Sequence, residues 1–276
     1  MSASPVTVSQ VIAELSLREN WHGSISQAQE YGERISPAVR VSLGAYLDER
    51  NQAGQSYRFE FNASSNYMIQ GACFVSPTDS ASLGEAKRRR LQSARYPEIL
   101  RTLTPREFEA VCRGVIVEMG ADRATLTRSA NDQGIDFFGL LSLRGRLAQS
   151  YPLPGFDSTL SVWLVGQAKH YLQTQVATPD IRELVGSVEL ARAGVYADSG
   201  AALAGLDMRR CDPVFYLFFT TGEISKDGWL LLKRSGVIAM DGETLATFLA
   251  DSGVGVDHVG LLDAGRFEEW LNAHMT

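Results

Sequence analysis

The sequence predicts an α/β fold: a mixed central sheet flanked by helices, with a smaller α+β region ahead of it. Three observations predict it. From residue 104 onward, amphipathic helical segments and short apolar segments follow in the order helix, three strands, helix, strand, helix, strand, helix. The segment PVFYLFFTT is apolar almost throughout, as a strand covered on both faces should be. Between the second and third strands, RGRLAQSYPLPGFD has the Gly and Pro of an extended hairpin loop, so an antiparallel hairpin feeds parallel crossovers.

Residues 6–50 read as two helices. Val8, Val11, Ile12 and Leu15 mark the apolar face of the first. The second is expected to start near Ser36-Pro37 and to carry Val39, Leu43, Tyr46 and Leu47. QSYRFEFN alternates Tyr57, Phe59 and Phe61 against Arg58 and Glu60, a half-buried strand, and NYMIQGACFVSP is its partner. SPTDSASLGEAK is a turn-rich break before a basic helix. A boundary near residues 95–103 gives an N-terminal α+β region, 1–100, and a second domain, 101–276.

In the second domain, LTPREFEAVCRGVIVEMGA has Thr104 as N-cap, Pro105 at the first helical position and Glu107 at the capping-box position. Phe108, Val111, Cys112, Val115, Ile116 and Met119 form one stripe, and Gly120 ends the helix. ATLTRS, GIDFFGLLSL and STLSVWLVGQAK are the three strands. TPDIRELVGSVELARAG, opened by Thr178-Pro179, is a capped helix; ISKDGWLLLKRSG and DGETLATFLAD are helices around the short strand VIAM. DAGRFEEWLNAHM closes the chain as a helix.

The 276 residues are 45% apolar, enough for a substantial core. No run approaches the roughly eighteen apolar residues of a membrane span, and MSASPVTVSQ lacks the pattern of a signal peptide. Cys73, Cys112 and Cys211 have no metal-like spacing, so a reduced, cytoplasmic protein is expected. The formal net charge is −6, which argues against a chain coated in phosphate-binding residues. Yet Lys87, Arg88, Arg89, Arg90, Arg95, Arg101 and Arg106 cluster in one segment, which fits either a nucleic-acid patch or a solvated helix face. Only four of the 26 basic residues are lysines, and one of them, Lys169, ends an apolar strand.

Along a strand, alternate residues share a face. Trp163, Val165, Gln167 and Lys169 therefore line one side of theirs, and the polar pair emerges together at its C-terminal end, where open α/β sheets form sites. An ordinary strand exit would look the same. Asp136, between Ile135 and Phe137, is a second signal: a buried carboxylate needs a cation, hydrogen bonds or a metal. It could instead sit at the strand edge, bonded to the turn Asn131-Asp132-Gln133-Gly134. A carboxylate on one strand with an amide and a lysine on the next suits a metal-assisted hydrolase.

The succession LTPREFEAVCRGVIVEMGA, NDQGIDFFG, VGQAKHY and TPDIRELVGSV resembles the Mrr-like restriction endonuclease catalytic domain of the PD-(D/E)xK nuclease superfamily. The similarity continues through PVFYLFFTTGEIS and GVIAMDGETLATFL and spans about residues 102–252. It implies the restriction-endonuclease-like αβββαβ core and places the acidic metal ligand on Asp136. The Glu/Gln-x-Lys element falls on Gln167 and Lys169, the peptide oxygen of Ala168 becomes a further metal ligand, and the helix acid falls on Glu109. Glu107 then caps the helix and Asp132 forms a turn. The resemblance implies a Mg²⁺-dependent endodeoxyribonuclease, with Mn²⁺ able to substitute, acting on DNA in restriction or anti-phage defence. Its expected partners are DNA, other defence-system proteins and further copies of itself, with no membrane. The N-terminal region would serve recognition, assembly or gating. A different class also fits: a catalytically silent nucleic-acid-binding or scaffold subunit. The chain departs from the family in the long separation of Asp136 from Gln167 and in Gln133, which replaces a glycine. Arg144 and Arg146 in the intervening loop are candidates for backbone contacts.

Overall fold

The computed structural model describes residues 1–127, 134–143, 160–195 and 203–275. The expected hairpin loop around Arg144 and Arg146 and the expected turn residues Asn131, Asp132 and Gln133 lie outside the described residues. The chain divides into two compact units, Met1–Gln92 and Ser93–Thr276.

In the first unit β1 (Val6–Thr7) leads directly into α1 (Val8–Arg18), with Thr7 closing a capping box on Gln10. The second helix, α2, runs Ile25–Gln52 and not from Ser36: Ser24 caps it, and Pro37 lies inside it. Proline costs one backbone hydrogen bond there. The preceding turns are nevertheless held by packing on α1, for a Cβ on Gly32 would stand 2.4 Å from the Ser9 carbonyl oxygen. That contact is what the proline signal concealed. β2 (Phe59–Asn62) and β3 (Ser65–Gly71) form the expected antiparallel pair, and β1 adds to the other edge of β3. The basic helix is α3 (Ala81–Arg90). Its lysine is engaged internally: Lys87 Nζ lies 3.0 Å from Asp79, 3.6 Å from Glu60 and 2.9 Å from the Phe74 carbonyl oxygen.

The second unit begins with α4 (Tyr96–Thr102), whose Tyr96 and Leu100 are buried in its core. Then come α5 (Pro105–Glu118), β4 (Arg123–Leu126), β5 (Phe137–Ser142), β6 (Ser161–Lys169), α6 (Thr178–Arg192) and β7 (Val214–Thr220). After these follow α7 (Lys226–Ser235), β8 (Ile238–Met240), α8 (Gly242–Ser252) and α9 (Ala264–Ala273). The five strands stand in the order β4-β5-β6-β7-β8; the first three pair antiparallel and the last three parallel. This is the expected mixed sheet.

Strand alternation sorts the core into two layers. Phe137, Leu164, Leu217 and Phe219 face α4, α5, α8 and α9, while Phe138, Trp163, Val165 and Phe218 face α6 and α7. β7 is buried only over its second half, contrary to expectation. β8 pairs with Leu217–Phe219 alone, which leaves the strand's start uncovered and Phe215 47% exposed. Among the described residues no helix is long and apolar enough to cross a membrane.

Candidate active site

Four of the candidate residues, Asp136, Gln167, Ala168 and Lys169, lie where β5 begins and β6 ends. Phe137 pairs across from Gly166, so Asp136, one residue before β5, comes level with the polar end of β6. Gly166 is required by this crossing, since a Cβ there would lie 2.2 Å from the Phe137 ring. Asp136 therefore stands at the strand's entry rather than inside it, yet it is held like a strand residue. Its N–H donates to the Gly166 carbonyl at 2.9 Å. Its carbonyl accepts from the Thr127 N–H at 3.0 Å and the Thr127 hydroxyl at 3.1 Å.

The Asp136 side chain is buried, and its Oδ2 accepts a 2.7 Å hydrogen bond from the Ala168 N–H. A charge-assisted bond of this length fixes the carboxylate in one orientation. Ala168 thus contributes its peptide to the site through nitrogen as well as by position.

Gln167 is 2% exposed, and its Oε1 has no hydrogen-bond partner among the described residues. A buried, unpaired amide oxygen is costly and calls for an explanation such as an ion. An oxygen of this kind one residue from the peptide that binds a buried carboxylate suits a hard divalent cation. The donor set is spare: among the described residues no three His, Cys, Asp or Glu side chains gather as a metal-binding group. An ion here would draw on the amide, on peptide oxygen and on substrate as well as on carboxylate.

Glu109 reaches the neighbourhood from α5. Thr104 and Glu107 form the capping box, with the Thr104 N–H donating to Glu107 Oε2 at 2.6 Å, so Glu107 is committed to the helix end. Two residues on, Glu109 Oε2 accepts from an Arg106 guanidinium nitrogen at 2.6 Å, and that same nitrogen donates to the Thr127 carbonyl at 2.8 Å. Glu109 and Asp136 are therefore linked through Arg106 and Thr127. Cys112, one turn beyond Glu109, is influenced by both acids: burial first, then the charges of Asp136 and Glu109, push its thiol well above the ordinary range.

Lys169 lies on the same strand face as Gln167, but its ammonium engages α6. Nζ donates to Glu183 Oε2 at 3.1 Å. Burial disfavours the ammonium, but the Glu183 hydrogen bond and the charges of Glu183, Tyr171 and Asp180 outweigh it and raise the pKa above its ordinary value. The lysine is protonated at neutral pH. Its carbonyl is held from β7 by the Thr220 hydroxyl at 2.8 Å and the Thr221 N–H at 3.3 Å. His170 turns the other way: its Nε2 is 3.0 Å from the Leu100 carbonyl oxygen and its ring packs by Phe108.

Sequence reasoning did not find Arg106, Thr127, Thr220 or Glu183 in these supporting positions. Helical spacing places Glu183 on the same side of α6 as Asp180, but not the strand residue it meets. α6 opens at Thr178-Pro179 as expected, and its cap is supplied by the Asp180 carboxylate, which accepts from the Ala177 N–H at 2.9 Å.

Residues 100–201 match the family model of the Mrr catalytic domain, described as a restriction endonuclease. The structure is similar to the MspJI restriction endonuclease in complex with a 27-mer oligonucleotide, at 17% identity and a TM-score of 0.42, over 73% of this chain and 39% of that one. It is similar also to the DNA modification-dependent restriction endonuclease AspBHI, at 17% identity and a TM-score of 0.43, over 66% and 39% of the two chains. The aligned part is thus well under half the length of either. No curated protein matches the sequence.

Proposed function

We propose that this chain, which carries a restriction-endonuclease domain of the Mrr type over residues 100–201, hydrolyses DNA phosphodiester bonds with a divalent cation, Mg²⁺ or in its place Mn²⁺. The observation that carries the reading is the buried Gln167 Oε1, unpartnered among the described residues, at the strand end where Asp136 is fastened to Ala168.

Asp136 and the Gln167 amide oxygen would hold the ion, with the Ala168 peptide oxygen and Glu109, directly or through water, as further donors. When bound, it would supply Lewis-acid charge against the scissile phosphate and acidify the attacking water. The protein's own groups do the rest. The Ala168 N–H keeps the Asp136 carboxylate in register, and Arg106 and Thr127 hold Glu109 near it. The protonated Lys169 orients the attacking water and offsets the negative charge that develops on the phosphoryl oxygens as the P–O bond breaks. Burial of Gln167 keeps bulk water from competing for its oxygen.

The first unit, Met1–Gln92, would serve recognition, assembly or gating of this activity in a restriction or anti-phage setting in the cytoplasm. Self-association and defence-system partners belong to the same proposal. The test is cleavage of supercoiled plasmid in millimolar Mg²⁺, in Mn²⁺ and in EDTA. The wild type should cut with either metal and stop with EDTA, and Asp136→Ala and Lys169→Ala should be inert while still folded. A wild type that binds DNA but never cuts it, with any metal, would point to a binding or scaffold subunit instead.

A further inference from the structure

Resting on the nuclease reading, we propose that Glu183 is a positioning residue for Lys169, holding the ammonium where it serves the reaction. Lysine reaches its partner through four rotatable bonds, and freezing such a side chain costs about 1.5–2 kcal/mol of conformational entropy. A lysine that must meet a phosphate and a water in one geometry therefore gains from being fixed beforehand.

The surroundings of Lys169 provide that fixation from two sides. Its backbone is held by β7 through Thr220 and Thr221, and its ammonium by the Glu183 carboxylate at 3.1 Å. Glu183 is itself carried to the right place. Asp180, one turn earlier on α6, accepts from the Tyr171 hydroxyl at 3.0 Å through one oxygen and from the Ala177 N–H at 2.9 Å through the other. That double anchorage fixes the start of α6 against the segment that follows β6. Asp180 and Glu183, three residues apart, share a helix face, so anchoring the first delivers the second to Lys169. The Glu183 side chain is half exposed, and a pair of this kind adds little to stability. Its effect should appear in the reaction, not in the fold.

The experiment is single-turnover plasmid cleavage by the full chain at saturating Mg²⁺, with the DNA half-saturation and the melting temperature measured alongside. Glu183→Ala should lower the cleavage rate constant about 10-fold with half-saturation and melting unchanged. Glu183→Gln, which keeps an acceptor oxygen of the same reach, should recover most of that loss. Glu183→Ala cutting as fast as a cleaving wild type overturns this proposal alone. So does a loss that appears in half-saturation or melting, since that is the behaviour of a merely structural pair. A wild type that does not cut overturns the nuclease reading and this proposal with it.

Discussion

Replacing Gln167 by methionine should stabilise the metal-free protein and remove most of its response to metal. An unpaired buried acceptor costs about 1–3 kcal/mol, and among the described residues Gln167 Oε1 is such an atom, in a side chain 2% exposed. Methionine has similar length and no acceptor to satisfy, so Gln167→Met should gain about 1–2 kcal/mol in EDTA. For a domain of this size that is a rise in melting temperature of about 4 °C. Metal reverses the order. At about a hundred times its Kd, a cation that binds only the folded state adds about 2.7 kcal/mol to the wild type, and the variant should lose most of that increment. Urea unfolding in EDTA and in Mg²⁺ gives both numbers from four curves. A variant less stable than wild type in EDTA would refute the claim that the oxygen is a cost. Equal metal stabilisation of the two proteins would refute its role as a ligand.

Two further outcomes follow from the same geometry. Gly166→Ala should cost about 1–3 kcal/mol by overpacking, since the new methyl would sit 2.2 Å from a Phe137 ring stacked on Phe219. Because Asp136 adjoins Phe137, cleavage measured well below the melting temperature should fall as well. The third concerns α9, docked on α5 through Trp270 and Glu118. Burial, with Arg113 adding and Glu118 opposing, lowers the pKa of His274 below its ordinary 6.5. The unfolded chain then binds that proton more readily, so the stabilising contribution is complete above 6.5 and is lost as pH falls towards the folded value. Between about pH 7.5 and about pH 5.5 the wild type should lose more stability in urea titrations than His274→Phe does.

Local signals were readable and distant ones were not. The capping box of Thr104 and Glu107 and the alternation that aims Gln167 and Lys169 together depend on neighbours in sequence, and both stand in the structure. The succession of five strands along the chain was legible because apolar runs and Gly-Pro breaks are also local. Pro37 misled because the helix around it is supported by α1, a contact with no mark in its own segment. β1 is two residues long, too short for a pattern, and exists through its pairing with Met68 and Ile69. Asp136 was legible as an oddity, but its bond to Ala168 depends on the Phe137–Gly166 register between residues far apart in sequence. The supporting groups Arg106, Thr127, Thr220 and Glu183 are ordinary polar residues in sequence, and only the fold shows what each one touches.

The most direct test of the central claim is to locate a cation by anomalous diffraction from crystals of the Lys169→Ala protein with DNA and Mn²⁺. The expected result is a Mn²⁺ peak at the Asp136 carboxylate and Gln167 Oε1, with a phosphate oxygen beside it. A phosphate bound elsewhere on the chain, with no metal at Asp136 and Gln167, would contradict it.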